Sequence, residues 1–239
     1  MPVQILCLLA GLALVVYGAN ILVDGASSVA RRSGLSEFII GLTIVGMGTS
    51  APEMVVSFIG AIEGKPDIAI GNVVGSNIFN TLLILGLTAF ILPVDISRAN
   101  RTRDIPMNIG ISLLLLVLGL ESTLLGIGTD GLSRVDGVIL TALFLIYMGF
   151  CLKHDDKSVQ ENTEGKEQKL WLSLLMIAGG LAGLIFGGRL FVNSATAIAQ
   201  EIGVSDKFIA ITILAGGTSM PELATCIVAA VKKKGQLAL

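Results

Sequence analysis

The residues Gly48-Thr49-Ser50-Ala51-Pro52-Glu53 return as Gly217-Thr218-Ser219-Met220-Pro221-Glu222, and both copies lie inside long apolar runs. The second glutamate follows the first by 169 positions (222 minus 53). A carboxylate at the centre of a membrane helix is unfavourable by roughly 2.5–3.5 kcal/mol on insertion scales, so it faces partners or a cavity rather than lipid. A proline one residue earlier interrupts the helix at the same place. Two such breaks at matching points favour a fold in which they meet. Membrane proteins built from internal repeats do this, with binding groups at the repeat interface near the bilayer midplane.

The composition fixes the class. The chain is 53% hydrophobic and 14% charged, with a mean hydropathy of +0.85, whereas soluble domains carry about 25% charged residues. It reads as an all-α polytopic membrane protein. Apolar runs predict seven spans, at 3–23, 36–62, 67–92, 106–121, 134–152, 170–191 and 206–231. A span needs about 20 residues to cross a core of about 30 Å, and the run at 106–121 is the shortest. Between 153 and 169 the chain turns polar, as in His154-Asp155-Asp156-Lys157. The expected division is a first repeat of five helices at 1–152, a cytoplasmic linker at 153–169 and a partial second repeat of two helices at 170–239. Cys7, Cys151 and Cys226 match neither a disulfide framework nor a zinc spacing and read as packing residues. His154 reads as solvated. No Lys or Arg precedes the first apolar run, so no cleavable signal is expected.

Basic residues set the orientation. The alternate segments 24–35, 93–105, 153–169 and 232–239 hold 12 of the 16 Lys and Arg residues. The opposite side keeps Lys65, Arg134, Arg189 and Lys207. The first set is expected in the cytoplasm and the N-terminus outside, in the cell (inner) membrane. Residues 18–70 align with 187–239 without a gap, pairing Gly18 with Gly187, Val23 with Val192, Gly34 with Gly203 and Thr43 with Thr212. Five spans separate the two starts, and an odd number inverts the second repeat.

The motif chemistry is oxygen chemistry. Thr49 and Glu53 stack on one helix face, and Ser50 lies beside them. Asn72, Ser76 and Asn80 form a polar stripe at four-residue spacing in an otherwise apolar helix. Carboxylate, hydroxyl, amide and freed carbonyl groups suit hard cations such as Ca²⁺ and Na⁺, whereas zinc or copper favours His and Cys. Small residues also let membrane helices approach closely, so Gly41 and Ser57 serve packing equally well. Packing does not require Glu53 or Glu222.

These motifs resemble those of the cation/calcium exchanger superfamily, in its microbial sodium/calcium exchanger-like branch. The resemblance rests on Gly-Thr-Ser-x-Pro-Glu in both repeats and on Gly71-Asn72-Val73-Val74-Gly75-Ser76-Asn77-Ile78-Phe79-Asn80 after the first. It implies ten helices in two inverted five-helix repeats, with access alternating as the first and sixth helices slide. It implies metal ligands at Thr49, Ser50, Glu53, Ser76, Asn80, Thr218, Ser219 and Glu222, with backbone carbonyls from Gly46 and Ala215. Ca²⁺ and Na⁺ are the implied cargo and the bilayer the surroundings. No cofactor, no nucleic acid and no enzymatic activity are expected, and the oligomeric state stays open. One feature departs from the pattern. Leu239 is equivalent to Ile70, so a partner of Gly71–Asn80 would begin at the next residue. The resemblance therefore implies a C-terminally truncated exchanger, in which exchange by these 239 residues is absent or severely weakened.

The leading reading is a secondary antiporter exchanging Ca²⁺ for Na⁺. A K⁺-dependent or H⁺-coupled exchanger and a non-transporting membrane subunit are the alternatives. The orientation is testable directly. A cysteine introduced near Lys65 is expected to react with an impermeant thiol reagent on intact cells, and one near Glu164 only after permeabilisation. Equal labelling of the two would overturn the charge-based topology.

Overall fold

The computed structural model describes residues 1–126, 130–154, 168–204 and 215–238, and among these no strand occurs. Among the described residues, five helices are long and apolar enough to cross a membrane, and a further pair, bent by 48° at its break, makes up to six. Helix α1 spans Pro2–Ser33. The bent pair is α2 (Glu37–Thr49) and α3 (Ala51–Ile62). Helix α4 begins as Pro66–Ile78, passes through a π-helical stretch at Phe79–Ile84 and ends as Leu85–Ile91. Helix α5 spans Asn100–Gly119, and its first turn is π-helical. Short α6 (Glu121–Leu125) leads to α7 (Arg134–Lys153) and then α8 (Leu170–Glu201). Helices α9 (Ala215–Thr218), α10 (Met220–Val231) and α11 (Gly235–Ala238) close the order.

Local chemistry explains the ends. Pro2 sits in the first turn of α1, where its missing N–H costs nothing. Arg31 and Arg32 occupy the last turn, against the negative end of the helix dipole. Gly34 then adopts the left-handed conformation at φ 67° and stops the helix. Ser36 restarts the chain by accepting the Ile39 N–H at 3.1 Å. Ser133 and Asp136 form a reciprocal capping box at the start of α7.

Several boundaries differ from the sequence expectation. The first span was expected to end at residue 23, and 24–35 to be a loop, yet α1 is helical to Ser33. The sixth was expected to end at residue 191, and α8 continues to Glu201. Both extensions carry small residues, and in α1 they are buried: Gly25, Ala26, Ser27 and Ser28 face the protein rather than lipid. Hydropathy falls there although packing persists. Helix α5 starts six residues early (100 against 106), because the Ser97 hydroxyl caps the Asn100 N–H at 3.0 Å. The seventh span is reached only in part, since 205–214 lie outside the described residues, as does most of the polar stretch at 153–169.

The chain forms two compact units, residues 1–94 with 160–239, and residues 95–159. In the second unit, Arg103 pairs with Asp104 at 2.6 Å, and the Tyr147 hydroxyl donates to the same carboxylate at 2.9 Å, tying α5 to α7. The first unit holds both motifs and is built around α1 against α8. Lipid tails are as apolar as Leu, so close packing rather than exclusion of water holds such a pair together. The seam is made of small residues seven positions apart. A Cβ on Gly11 would lie 2.7 Å from the Phe191 nitrogen and 2.9 Å from the Gly187 oxygen. One on Gly18 would lie 2.9 Å from the Gly180 oxygen, and one on Gly25 2.9 Å from the Ser173 oxygen. As positions rise along α1 they fall along α8, so the helices run antiparallel. Moving the Gly11–Gly187 contact by the 169-residue repeat gives Gly180–Gly18, so these two contacts of the seam map onto each other. The Ser28 and Ser173 hydroxyls, 2.8 Å apart, satisfy one another at its end.

The seam predicts a sharp positional effect. Gly180→Val would push a side chain into the Leu22 nitrogen, 2.7 Å from its Cβ, whereas Gly179→Val meets nothing within 4 Å. Overpacking of this kind costs about 1–3 kcal/mol. Thermal unfolding in detergent is expected to show a lower midpoint for Gly180→Val and an unchanged one for Gly179→Val. Equal midpoints would remove the seam from the account of stability.

Candidate cation site

Both motifs break their helices in the same way. Ser50 ends α2 with φ −81° and ψ 7°, and Ser219 ends α9 with φ −87° and ψ 9°. Pro52 and Pro221 then fall in the first turn of the next helix. There the missing N–H is harmless, and the break sits on the motif serine. Gly48 and Gly217 let the broken segments approach α8. A Cβ on Gly48 would lie 2.8 Å from Leu181 Cδ1, and one on Gly217 would collide with Val192 Cγ2. The breaks turn the hydroxyls and carboxylates toward one another.

The geometry is reciprocal. Ser50 Oγ donates to Glu222 Oε1 at 2.8 Å, and Ser219 Oγ donates to Glu53 Oε1 at 3.1 Å. The 169-residue shift converts the second bond into the first. Thr218 lies beside Glu53, and Thr49 beside Glu222. Each glutamate keeps its other oxygen, Oε2, buried and without a hydrogen-bond partner. Asn80 Oδ1 is also buried and unpartnered. It sits in the π-helical stretch of α4 that packs against α10. π-Helical turns recur at functional sites because they shift a side chain out of the regular helical register.

The remaining expected ligands are placed as follows. Thr49 is 2% exposed, and its hydroxyl donates to the Gly46 carbonyl at 3.2 Å. That carbonyl also accepts the Ser50 N–H at 3.0 Å, so both its lone pairs are engaged. Ser76 is half-buried on α4, one turn before Asn80. Ala215 opens α9, whose residues pack against α4 and α8. Asn72 has a part the sequence did not disclose. Its Nδ2 donates to the Glu53 carbonyl and to Ser57 Oγ, both at 2.9 Å, and pins α4 to α3 beside the carboxylate. Its place in the polar stripe was the available signal; which neighbour it would reach was not.

This arrangement suits a hard cation. Among the described residues no three His, Cys, Asp or Glu side chains cluster. The charge is therefore two carboxylates set among hydroxyls and an amide oxygen, and such oxygen ligands suit Ca²⁺ or Na⁺. Two carboxylates held close inside a low-dielectric interior repel one another, and a cation between them removes that cost.

Fold and site together define a multi-pass membrane transporter with a pair of glutamates at two matched helix breaks. The chain belongs to the sodium/calcium exchanger protein family, which matches residues 3–153 and 172–239. It is 37% identical over 231 residues to an uncharacterized membrane protein of Methanocaldococcus jannaschii, with 97% of this chain and 73% of that protein covered. It is 30% identical over 274 residues to the sodium/calcium exchanger MaX1 of Methanosarcina acetivorans, with 99% of this chain and 77% of that protein covered. Among solved structures it matches the sodium-calcium exchanger NCX_Mj soaked with Na⁺ and Sr²⁺, at a TM-score of 0.81 and 35% identity, over 99% of this chain and 75% of that one.

The Asn72 contacts generate a test. Asn72→Ala is expected to lower stability by about 1–2 kcal/mol, as two part-buried hydrogen bonds are lost. Asn77→Ala, at an exposed neighbouring position, should stay within about 0.5 kcal/mol of the parent. Denaturant or thermal unfolding without added Ca²⁺ makes the comparison, and equal effects would deny Asn72 its role.

Proposed function

We propose that this chain carries the cation site of a secondary active antiporter that exchanges Ca²⁺ for Na⁺ by alternating access. It would lie in a cell membrane with its N-terminus outside. The observation that carries the reading is the reciprocal pair of serine–glutamate bonds, which leaves one oxygen of each glutamate buried and free. Glu53 and Glu222 supply the negative charge, and Ser50, Ser219, Thr49 and Thr218 the hydroxyls around it. Asn80 and Ser76 complete the site from α4, and the backbone near Gly46 and Ala215 borders it. Two carboxylates neutralise one Ca²⁺. Na⁺ has a similar radius and accepts the same oxygen ligands, so the two ions compete for shared positions. Competition couples their movements without a separate device.

The antiparallel α1–α8 seam supports two inverted repeats. The Gly11–Gly187 and Gly18–Gly180 contacts and the two serine–glutamate bonds return onto themselves under the same 169-residue shift. Exchanging the conformations of the two halves would then open the site to the opposite side. That is the economy of inverted-repeat transporters: one sequence unit in two settings gives both faces of the cycle.

Glu53→Gln and Glu222→Gln each keep the shape of the site and remove one charge. Each variant is expected to weaken Ca²⁺ binding at least about tenfold, equivalent to about 1.4 kcal/mol. Each should leave insertion and thermal stability in place. Parent-like Ca²⁺ binding in either variant would make that glutamate structural and overturn the reading.

A further inference from the structure

The repeat shift relates the motifs faithfully, but it fails at the turn that follows each motif helix, and the failure is chemical. After α3 the chain turns at Gly64, with φ 68°; after α10 it turns at the matching Lys233, with φ 58°. Both turns close with the same backbone bonds. Gly64 N–H donates to Ala61 and Lys65 N–H to Gly60, at 3.2 and 2.8 Å; Lys233 N–H donates to Ala230 and Lys234 N–H to Ala229, at 2.9 and 2.8 Å. Glycine is the usual occupant of this left-handed position. Lys233 is the single non-glycine residue with positive φ among the described residues, and a strained backbone persists only where its surroundings hold it.

Here the surroundings are α1. Lys232 Nζ pairs with Asp24 Oδ1 at 2.8 Å and donates to the Asn20 carbonyl at 3.1 Å. Lys234, 9% exposed, donates its Nζ to Ser27 Oγ, with Glu37 and Arg31 also nearby. Asn20, Asp24 and Ser27 share one face of α1. The strained turn thus drives two ammonium groups onto two successive turns of the first helix.

The matching turn does nothing of the kind. Lys232 corresponds to Glu63 and Lys234 to Lys65, and these two pair with each other at 2.7 Å on the surface. Asp24 corresponds to Asn193 and Ser27 to Thr196 on α8, and the Thr196 hydroxyl is buried without a partner. Glu63 and Asn193, the counterparts of Lys232 and Asp24, do not carry the opposite charges an ion pair requires.

We propose that the Lys232–Lys234 turn is a one-sided latch on α1, which holds the cation site closed at that end and biases the resting protein toward the state open at the other. The proposal concerns the gating of the exchange site and rests on the exchange reading above. The latch works because α1 is one of the two seam helices, and fixing it to α10 fixes the seam against a motif helix. Half-exposed ion pairs are weak, which suits a device that must open in every cycle.

The test reads conformation rather than transport. Ala30 is 2% exposed and lies in the same buried cluster as Ala229, beneath the turn. In the full chain carrying Ala30→Cys, labelling by a small polar thiol reagent reports opening at this end. Asp24→Asn or Lys232→Gln should raise the labelling rate about two- to fivefold, the range an ion pair of this exposure allows. Glu63→Gln in the matching turn should leave it unchanged. The exchanged pair, Asp24→Lys with Lys232→Asp, should return it to the parent rate and shows that the single variants are folded. An unchanged rate in the single variants, an equal rise with Glu63→Gln, or failure of the exchanged pair to restore protection would each overturn the latch. Calorimetric titration with Ca²⁺ is run on the same samples. Absence of Ca²⁺ binding with the labelling pattern intact would remove the exchange reading and leave the one-sided closure standing. Binding with no labelling differences would remove the latch alone.

Discussion

An ionised carboxylate in a hydrocarbon interior is stable only beside donors or a cation, and much of the first unit follows from supplying them to Glu53 and Glu222. Each glutamate sits in the first turn of a helix, immediately after a break. Each break puts a serine hydroxyl where the other motif's glutamate can use it. A continuous helix would carry its side chains out around the cylinder. Breaking it at Ser50 and Ser219 turns the two motifs face to face. The cost of two interrupted backbones is offset by partners that neither motif could find alone.

That meeting requires the helices behind it to come very close, and glycine is how the chain achieves it. The α1–α8 seam tolerates no Cβ at Gly11, Gly18, Gly180 or Gly187. Gly48 and Gly217 bring the motifs onto α8 in the same manner. In lipid such contacts are the main source of association, because apolar burial confers little advantage there. Small residues therefore have a positive structural task, and they explain why α1 and α8 outrun their most hydrophobic stretches.

Departures from the repeat are as informative as the repeat itself. A perfectly symmetric pair of halves would have no preferred facing. Gly48 rests against Leu181, whereas Gly217 rests against Val192, so the two motifs meet α8 at positions that the shift does not interchange. At the outer turns the chemistry also differs, with an ion pair to α1 on one side and a surface pair on the other. Such differences make the two halves chemically inequivalent.

The sequence by itself determined the class, the motif pair and the hard-oxygen chemistry. These rest on composition and on residue types that have few other uses inside a membrane: a glutamate beside a proline, twice, in matching surroundings. It also located the breaks, because Pro and Gly act on their own backbone. It misjudged the ends of α1, α5 and α8. Hydropathy measures the average side chain, while the boundaries depend on a serine cap and on small residues buried against a partner. Only the tertiary structure decided that Ser50 serves Glu222 rather than Glu53, that Asn72 anchors the Glu53 backbone, and that Lys232 reaches Asp24. Each joins residues far apart in the chain, and a spacing rule along one helix says nothing about which face of a distant helix will lie opposite.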